Sequence, residues 1–183
     1  MSILVADASA LVSLGVVADT EPDPLLLCLT RYEVIAPTVV IEELREIASY
    51  DDIHGQAAAS VLDRTDLFET RSVELDSEFP LDDGENAAVT LANELDAALL
   101  LCDEFNRLGL IHASLADTRL VTTPTLLSVL VRTEQLSVAA ARRLLEGISD
   151  ARSWNANSYV NSPRGQASGL PASTTRFAST RSR

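Results

Sequence analysis

Short apolar runs alternate along this chain with longer stretches whose hydrophobic positions recur at helical spacing. Ile3-Leu4-Val5-Ala6 reads as a strand and leads into a helix over about 8–17. A second helix follows Pro22 or Pro24 and covers 24–30. Tyr32 to Ala36 reads as a strand, and Pro37 then opens a helix to about Ala48, as proline does at a first helical position. Residues 52–63 are helical in pattern with Asp51 as the cap, and Phe68 to Leu75 extends as a short edge strand. Asp82 or Asp83 caps a helix running through Leu95, with Glu85 at the capping-box distance from Asp82. The run 97–102 is apolar throughout, as in a strand covered on both faces. A helix at about 104–115, a strand over Arg119–Thr122 and a helix from Thr123-Pro124 to about Thr133 follow. Ser137 caps a last helix over 138–148.

Strands alternating with helices build βαβ units. The expected fold class is therefore α/β, a three-layer α/β/α arrangement with a central parallel sheet of about 4–5 strands. At 183 residues the chain is long enough for one domain with a substantial core, placed at residues 1–150. Residues 151–183 form a Ser/Thr/Arg-rich C-terminal tail, expected to be largely disordered from about Asn161, with Trp154 and Tyr159 able to pack back on the domain.

Composition and charge sharpen this picture. Hydrophobic residues make up 46% and aromatics only 4%, so the core must be built from Leu, Val, Ile and Ala. The longest apolar runs reach about half of the roughly 20 residues that a membrane span needs, and no secretory leader is visible, so a cytoplasmic location is expected. Cys28 and Cys102 stand in apolar contexts and read as buried thiols, with a disulfide left open. Net charge is −13, and all 14 basic residues are arginine. Nine of them share residues 1–150 with all 27 acids, whereas 151–183 hold five arginines and no acid. An acid excess without lysine resembles the proteomes of salt-accumulating halophiles, where at 1 M salt the Debye length of about 3 Å screens surface repulsion.

Four carboxylates break the solvated pattern of the rest. Asp7 closes the first strand and Asp103 closes the apolar run ending at Cys102. In an open parallel sheet, ligands bind beyond the carboxyl ends of the strands where strand order reverses, although either Asp also suits a helix cap. Glu43 lies within the stripe formed by Val39, Val40, Leu44 and Ile47, while Glu42 and Glu46 point to solvent. Glu85 precedes Ala88, Val89 and Ala92 on the apolar face of its helix, in the first turn, where a capping-box role is the alternative. Four carboxylates around one cavity repel, and a cation relieves them. Oxygen ligands without a nearby imidazole suit Mg2+ or Mn2+ rather than zinc, and His54 and His112 fall on helices as side or surface residues. Such an ion activates a water for in-line attack on phosphorus. Without lysine, a receiver-like phosphotransfer site and a Walker-type NTPase lack their phosphate-holding residue, and neither G-x-x-x-x-G-K nor G-x-G-x-x-G occurs.

The segments Val5-Ala6-Asp7-Ala8-Ser9-Ala10-Leu11, Pro37-Thr38-Val39-Val40-Ile41-Glu42-Glu43-Leu44, Leu81-Asp82-Asp83-Gly84-Glu85-Asn86-Ala87-Ala88-Val89-Thr90-Leu91-Ala92 and Leu100-Leu101-Cys102-Asp103 resemble those of PIN-domain nucleases, including the VapC-type toxins of toxin–antitoxin pairs. The Leu-Asp-x-Gly-Glu stretch and Thr122-Thr123-Pro124-Thr125-Leu126-Leu127 look like a prokaryotic subgroup. The resemblance covers roughly residues 2–148 in the right order. It implies a metal-dependent ribonuclease, with Asp7, Glu43, Glu85 and Asp103 as catalytic and metal-binding acidic quartet. Ser9 maps to a hydroxyl beside the quartet, and Ser9 and Arg107 are candidate substrate contacts. RNA, an antitoxin protein and a second copy of the chain are the implied partners. The acidic body departs from the basic surface common in the family, so the arginine-bearing tail, with Trp154 or Tyr159 stacking on bases, is a candidate for RNA contact. The rival reading is a PIN-like module that binds nucleic acid or an antitoxin without cutting.

Overall fold

The structure is a computed structural model and describes residues 1–154. Its strands are β1 (Ser2–Ala6), β2 (Tyr32–Pro37), β3 (Glu69–Arg71), β4 (Leu99–Leu101) and β5 (Arg119–Val121), joined in the order β3-β2-β1-β4-β5. Every pairing is parallel, as the alternating pattern requires. Helices α1 (Ala8–Gly15), α2 (Pro24–Arg31), α3 (Thr38–Ile47), α4 (Ile53–Leu62), α5 (Asp83–Glu94), α6 (Leu108–Ser114), α7 (Thr123–Arg132) and α8 (Val138–Ala151) cover the sheet. The expected three-layer α/β/α class is observed, and the parallel sheet has five strands, within the expected 4–5.

The inner strands show why they read as continuous apolar runs. Leu4 and Ala6 of β1, Val34 and Ala36 of β2 and Leu101 of β4 face one core, shared with α1, α3 and α4. Val5, Ile35 and Leu100 point the other way, against Ala88, Val89, Leu91 and Ala92 of α5 and Ile111 of α6. Both faces are dry, so alternation between hydrophobic and polar positions disappears. A third cluster joins Val17, Leu127 and Leu130 to Ala141, Leu144 and Ile148 of α8 and to Trp154.

The chain winds outward from β1 to β2 and β3, then returns to place β4 on the other side of β1. Strand order therefore reverses between β1 and β4, which is where a doubly wound sheet opens a crevice at its carboxyl edge. Asp7 and Asp103 follow these two strands.

Three local expectations are corrected. Asp52, not Asp51, caps α4, accepting from Gly55 N–H at 2.8 Å. The edge strand β3 is only three residues long, far shorter than Phe68 to Leu75. Helix α6 starts at Leu108 rather than near 104: the Asp103 carboxylate bonds Thr123 instead of capping a helix from 104, and residues 105–107 form a turn. The expected domain limit at residue 150 falls inside α8, and Trp154 beyond it is 5% exposed. Tyr159 and the tail from Asn161 lie outside the described residues. Among the described residues, no helix is long and apolar enough to cross a membrane, and both cysteines are free and buried.

Candidate active site

Asp7 extends the β1 ladder by one bond, its N–H donating to Leu101 O at 3.0 Å, and then starts α1. Its Oδ2 accepts from Ser9 N–H at 3.1 Å and from Ser9 Oγ at 2.5 Å. The same Ser9 Oγ accepts from Asp103 N–H at 3.0 Å, so one hydroxyl stitches the ends of β1 and β4 together. Asp7 is therefore a helix cap and a cleft residue at once. Burial pushes its carboxyl above the usual range, opposed by the bonds from Ser9 and Cys102. The Cys102 thiol, 3.5 Å from Asp7 Oδ2, is itself pushed far up by burial and by Asp7, which makes it a poor thiolate ligand.

Glu43 is half-buried on α3, and its neighbours Glu42 and Glu46 are exposed, as the helical face argument requires. Glu46 nonetheless reaches the rim of the same cleft. The Glu43 carboxyl is pushed up to about 7, first by burial and then by the charges of Asp7, Asp82, Glu85 and Asp83.

Glu85 sits in a complete capping box with Asp82. Glu85 N–H donates to Asp82 Oδ1 at 3.0 Å, and Asp82 N–H donates back to Glu85 Oε2 at 3.4 Å. Arg107 Nη1 bridges this pair, 2.9 Å from Glu85 Oε2 and 3.3 Å from Asp82 Oδ2. Burial raises the Glu85 carboxyl, and the Arg107 bond opposes that rise. A guanidinium thus supplies the counter-charge that no lysine can.

Asp103 is placed differently from the other three acids. Its Oδ1 accepts from Thr123 N–H at 2.7 Å and its Oδ2 from Thr123 Oγ1 at 2.6 Å. It is 3% exposed, and burial raises its carboxyl against the Thr123 and Ser13 bonds. Asp103 stands in the wall behind Ser9 rather than on the cleft surface.

The cleft has a volume of about 370 Å³ and is lined by Asp7, Ser9, Glu43, Asp82, Glu85 and Glu104, with Val12, Ile47 and Tyr50 as its apolar side and Arg152 at its edge. Three elements, the end of β1, the face of α3 and the first turn of α5, bring Asp7, Glu43 and Glu85 together. The donor chemistry of the cleft suits a hard divalent cation: carboxylate oxygens, carboxyls raised by burial and no imidazole. Among the described residues, no group of three or more His, Cys, Asp or Glu side chains stands ready-made to hold a metal ion. His54 and His112 do not line the cleft.

Several residues in or behind the cleft escape a reading of the sequence. Thr123 has a signal in the Thr-Thr-Pro string, but that string reads first as a helix start. Tyr50, 59% exposed, follows the end of α3 in a turn. Arg152 falls in the expected tail and still lines the cleft. Trp154 is corrected as a base-stacking candidate, since it packs edge-on against Phe105 with ring centroids 5.0 Å apart and offers no free face.

A family model described as a PIN domain matches residues 3–167, which is most of the chain. No curated protein and no solved structure matches.

Proposed function

The chain belongs to the PIN-domain family, whose fold is of nuclease type, and from that premise we propose that its cleft is the active site of a Mg2+- or Mn2+-dependent endoribonuclease. One observation carries this reading. Carboxylates from three separate elements converge on one cleft, and burial with the charges of the other acids pushes Glu43 up to about 7. Capping accounts for Asp7 and Glu85 taken singly, but Glu43 has no such role, and burial raises all three carboxyls.

Asp7, Glu43 and Glu85 are the residues that would hold the cation, with Asp103 behind them. When bound, the ion supplies the charge that activates a water for attack on phosphorus and stabilises the leaving oxygen. Ser9 fixes the Asp7 carboxylate by two hydrogen bonds and ties it to Asp103. Thr123 holds Asp103, and through it the β4 end of the cleft. Tyr50 offers an exposed ring on which an unpaired base can stack, and Arg152 a cation for phosphate.

The finer reading includes the role of toxin in a toxin–antitoxin pair, a halophilic host, a homodimer and the cytoplasm as location. It also takes residues 1–150 as the nuclease unit, extended here through Trp154 because that side chain is part of the core. A second reading, a PIN domain that binds without cutting, draws on the Arg107 and Thr123 bonds that already occupy carboxylate oxygens.

Cleavage of structured RNA at molar salt, with and without Mn2+ and with Asp7→Asn beside the parent, separates the two. The nuclease reading expects cleavage by the parent alone, abolished by EDTA. Activity that persists in EDTA, or equal activity in the variant, overturns it. A neighbouring reading frame encoding a small DNA-binding protein that co-purifies with the chain supports the toxin role.

A further inference from the structure

Gly84, the second residue of α5, is buried, and the Glu43 carboxylate rests directly on it. A Cβ built at position 84 would lie 2.5 Å from Glu43 Oε1, closer still to Oε2, and 2.7 Å from Cδ. The three atoms nearest to that Cβ all belong to this one carboxylate.

The backbone does not demand glycine here. Among the described residues no glycine has positive φ, so Gly84 adopts a conformation open to alanine. The fold does not demand it either. At Gly15 and Gly55 an added Cβ would run into the backbone carbonyls of Ala57 and Tyr50, which would push elements apart. At Gly84 the obstacle is the far end of a flexible side chain, which can swing away at little expense to the fold.

We infer that Gly84 is a positioning residue: the missing methyl makes the dent in which the Glu43 carboxylate is held against the first turn of α5, beside Glu85. This rests on the reading of the cleft as a cation-dependent nuclease site. With a methyl in the dent, Glu43 must take another rotamer and its carboxylate leaves the cluster, while α5 keeps its cap and its packing. Alanine is the better helix former, so stability does not fall.

The test compares the parent, Gly84→Ala, Glu43→Asp and the double variant in the full chain at molar salt, reading Mn2+ affinity by calorimetry and thermal midpoint by circular dichroism. The inference expects Gly84→Ala to weaken Mn2+ binding by about tenfold or more, the scale of a disturbed metal-supporting contact, with an unchanged or higher midpoint. It also expects non-additivity. In the Glu43→Asp background the shorter side chain no longer reaches the methyl, so the glycine-to-alanine change there costs little further affinity. Parental Mn2+ affinity in Gly84→Ala overturns the inference and leaves the cleft reading standing. A lowered midpoint, or an equal loss in both backgrounds, marks Gly84 as merely structural and also overturns it. Parental Mn2+ binding no tighter than that of Asp7→Asn removes the cleft reading itself, and the inference with it.

Discussion

Thr123 clasps Asp103 at two points, its N–H on Oδ1 at 2.7 Å and its hydroxyl on Oδ2 at 2.6 Å. Thr123 begins α7 and Asp103 follows β4, so the clasp fixes the N-terminus of a helix against the carboxyl end of a central strand. Of the four acids, Asp103 is the one whose two oxygens both have partners of this kind, and it stands behind the cleft. It is a brace for the site as much as a member of it.

Removing the hydroxyl while keeping the volume isolates half of this clasp. Thr123→Val takes the Thr123 donor from the buried Asp103 Oδ2, leaving Ser13 as the other side-chain donor to this carboxyl, and a buried acceptor left short costs on the order of 1–3 kcal/mol. Urea unfolding is expected to show that loss, with Thr123→Ser close to the parent. A valine variant as stable as the parent would show that the hydroxyl bond contributes nothing to the fold.

Glu43 sets a pH dependence opposite to that of a salt-bridged carboxylate. Its folded-state value of about 7 lies above its ordinary 4.5, so the folded chain holds a proton that the unfolded chain releases. The stability this contributes is fully present below about 4.5 and is lost as pH rises through about 7. Glu43→Gln is therefore expected to become more stable than the parent between these values, by about 1–2 kcal/mol after allowing for solvent in the cleft. Thermal midpoints at pH 4, 6 and 8 without added metal check it. A gap that does not widen with pH contradicts the raised carboxyl.

Asp7, Glu43 and Glu85 were readable in the sequence because local rules place them. A strand end, a helix face and a capping box each follow from spacing within a few residues. The three-layer fold was readable for the same reason, as the dry inner strands turned alternation into continuous apolar runs. Asp103 shows where local rules stop. Its position after β4 is a matter of pattern, but its carboxylate bonds Thr123, twenty residues on, which no local rule shows. Gly84 is silent in sequence because the group it accommodates arrives from α3.

On the proposed reading of the cleft, Arg107 competes with an incoming cation for one oxygen. Its guanidinium lies 2.9 Å from Glu85 Oε2 and repels positive charge from the cleft. Arg107→Ala is expected to tighten Mn2+ binding several-fold, with Arg107→Lys intermediate. The effect should survive molar salt, because a contact of this length is no longer than the Debye length of about 3 Å at 1 M. Calorimetric titration of the full chain reads it directly, and unchanged or weaker binding in the alanine variant refutes the competition.

Tyr50 is the cleft residue with most to offer an RNA and least to do for the fold. Its ring is 59% exposed, it lines the same cleft as the carboxylates, and aromatic residues are otherwise scarce. In a chain of net charge −13, long-range attraction to phosphate is weak, and at molar salt it is weaker still. Stacking tolerates salt, and each stacked base is worth roughly 1–3 kcal/mol. Tyr50→Ala, made in an Asp7→Asn background to prevent cleavage, is therefore expected to weaken single-stranded RNA binding by about 5- to 100-fold at molar salt. Tyr50→Phe should retain binding, since the ring face is kept and only the hydroxyl is lost. Fluorescence anisotropy with a labelled oligonucleotide, beside thermal midpoints that stay level across the series, separates a stacking platform from a residue that supports the turn after α3. An alanine variant that binds as the parent does would move the search for the RNA contact to Arg152 and the segment beyond it.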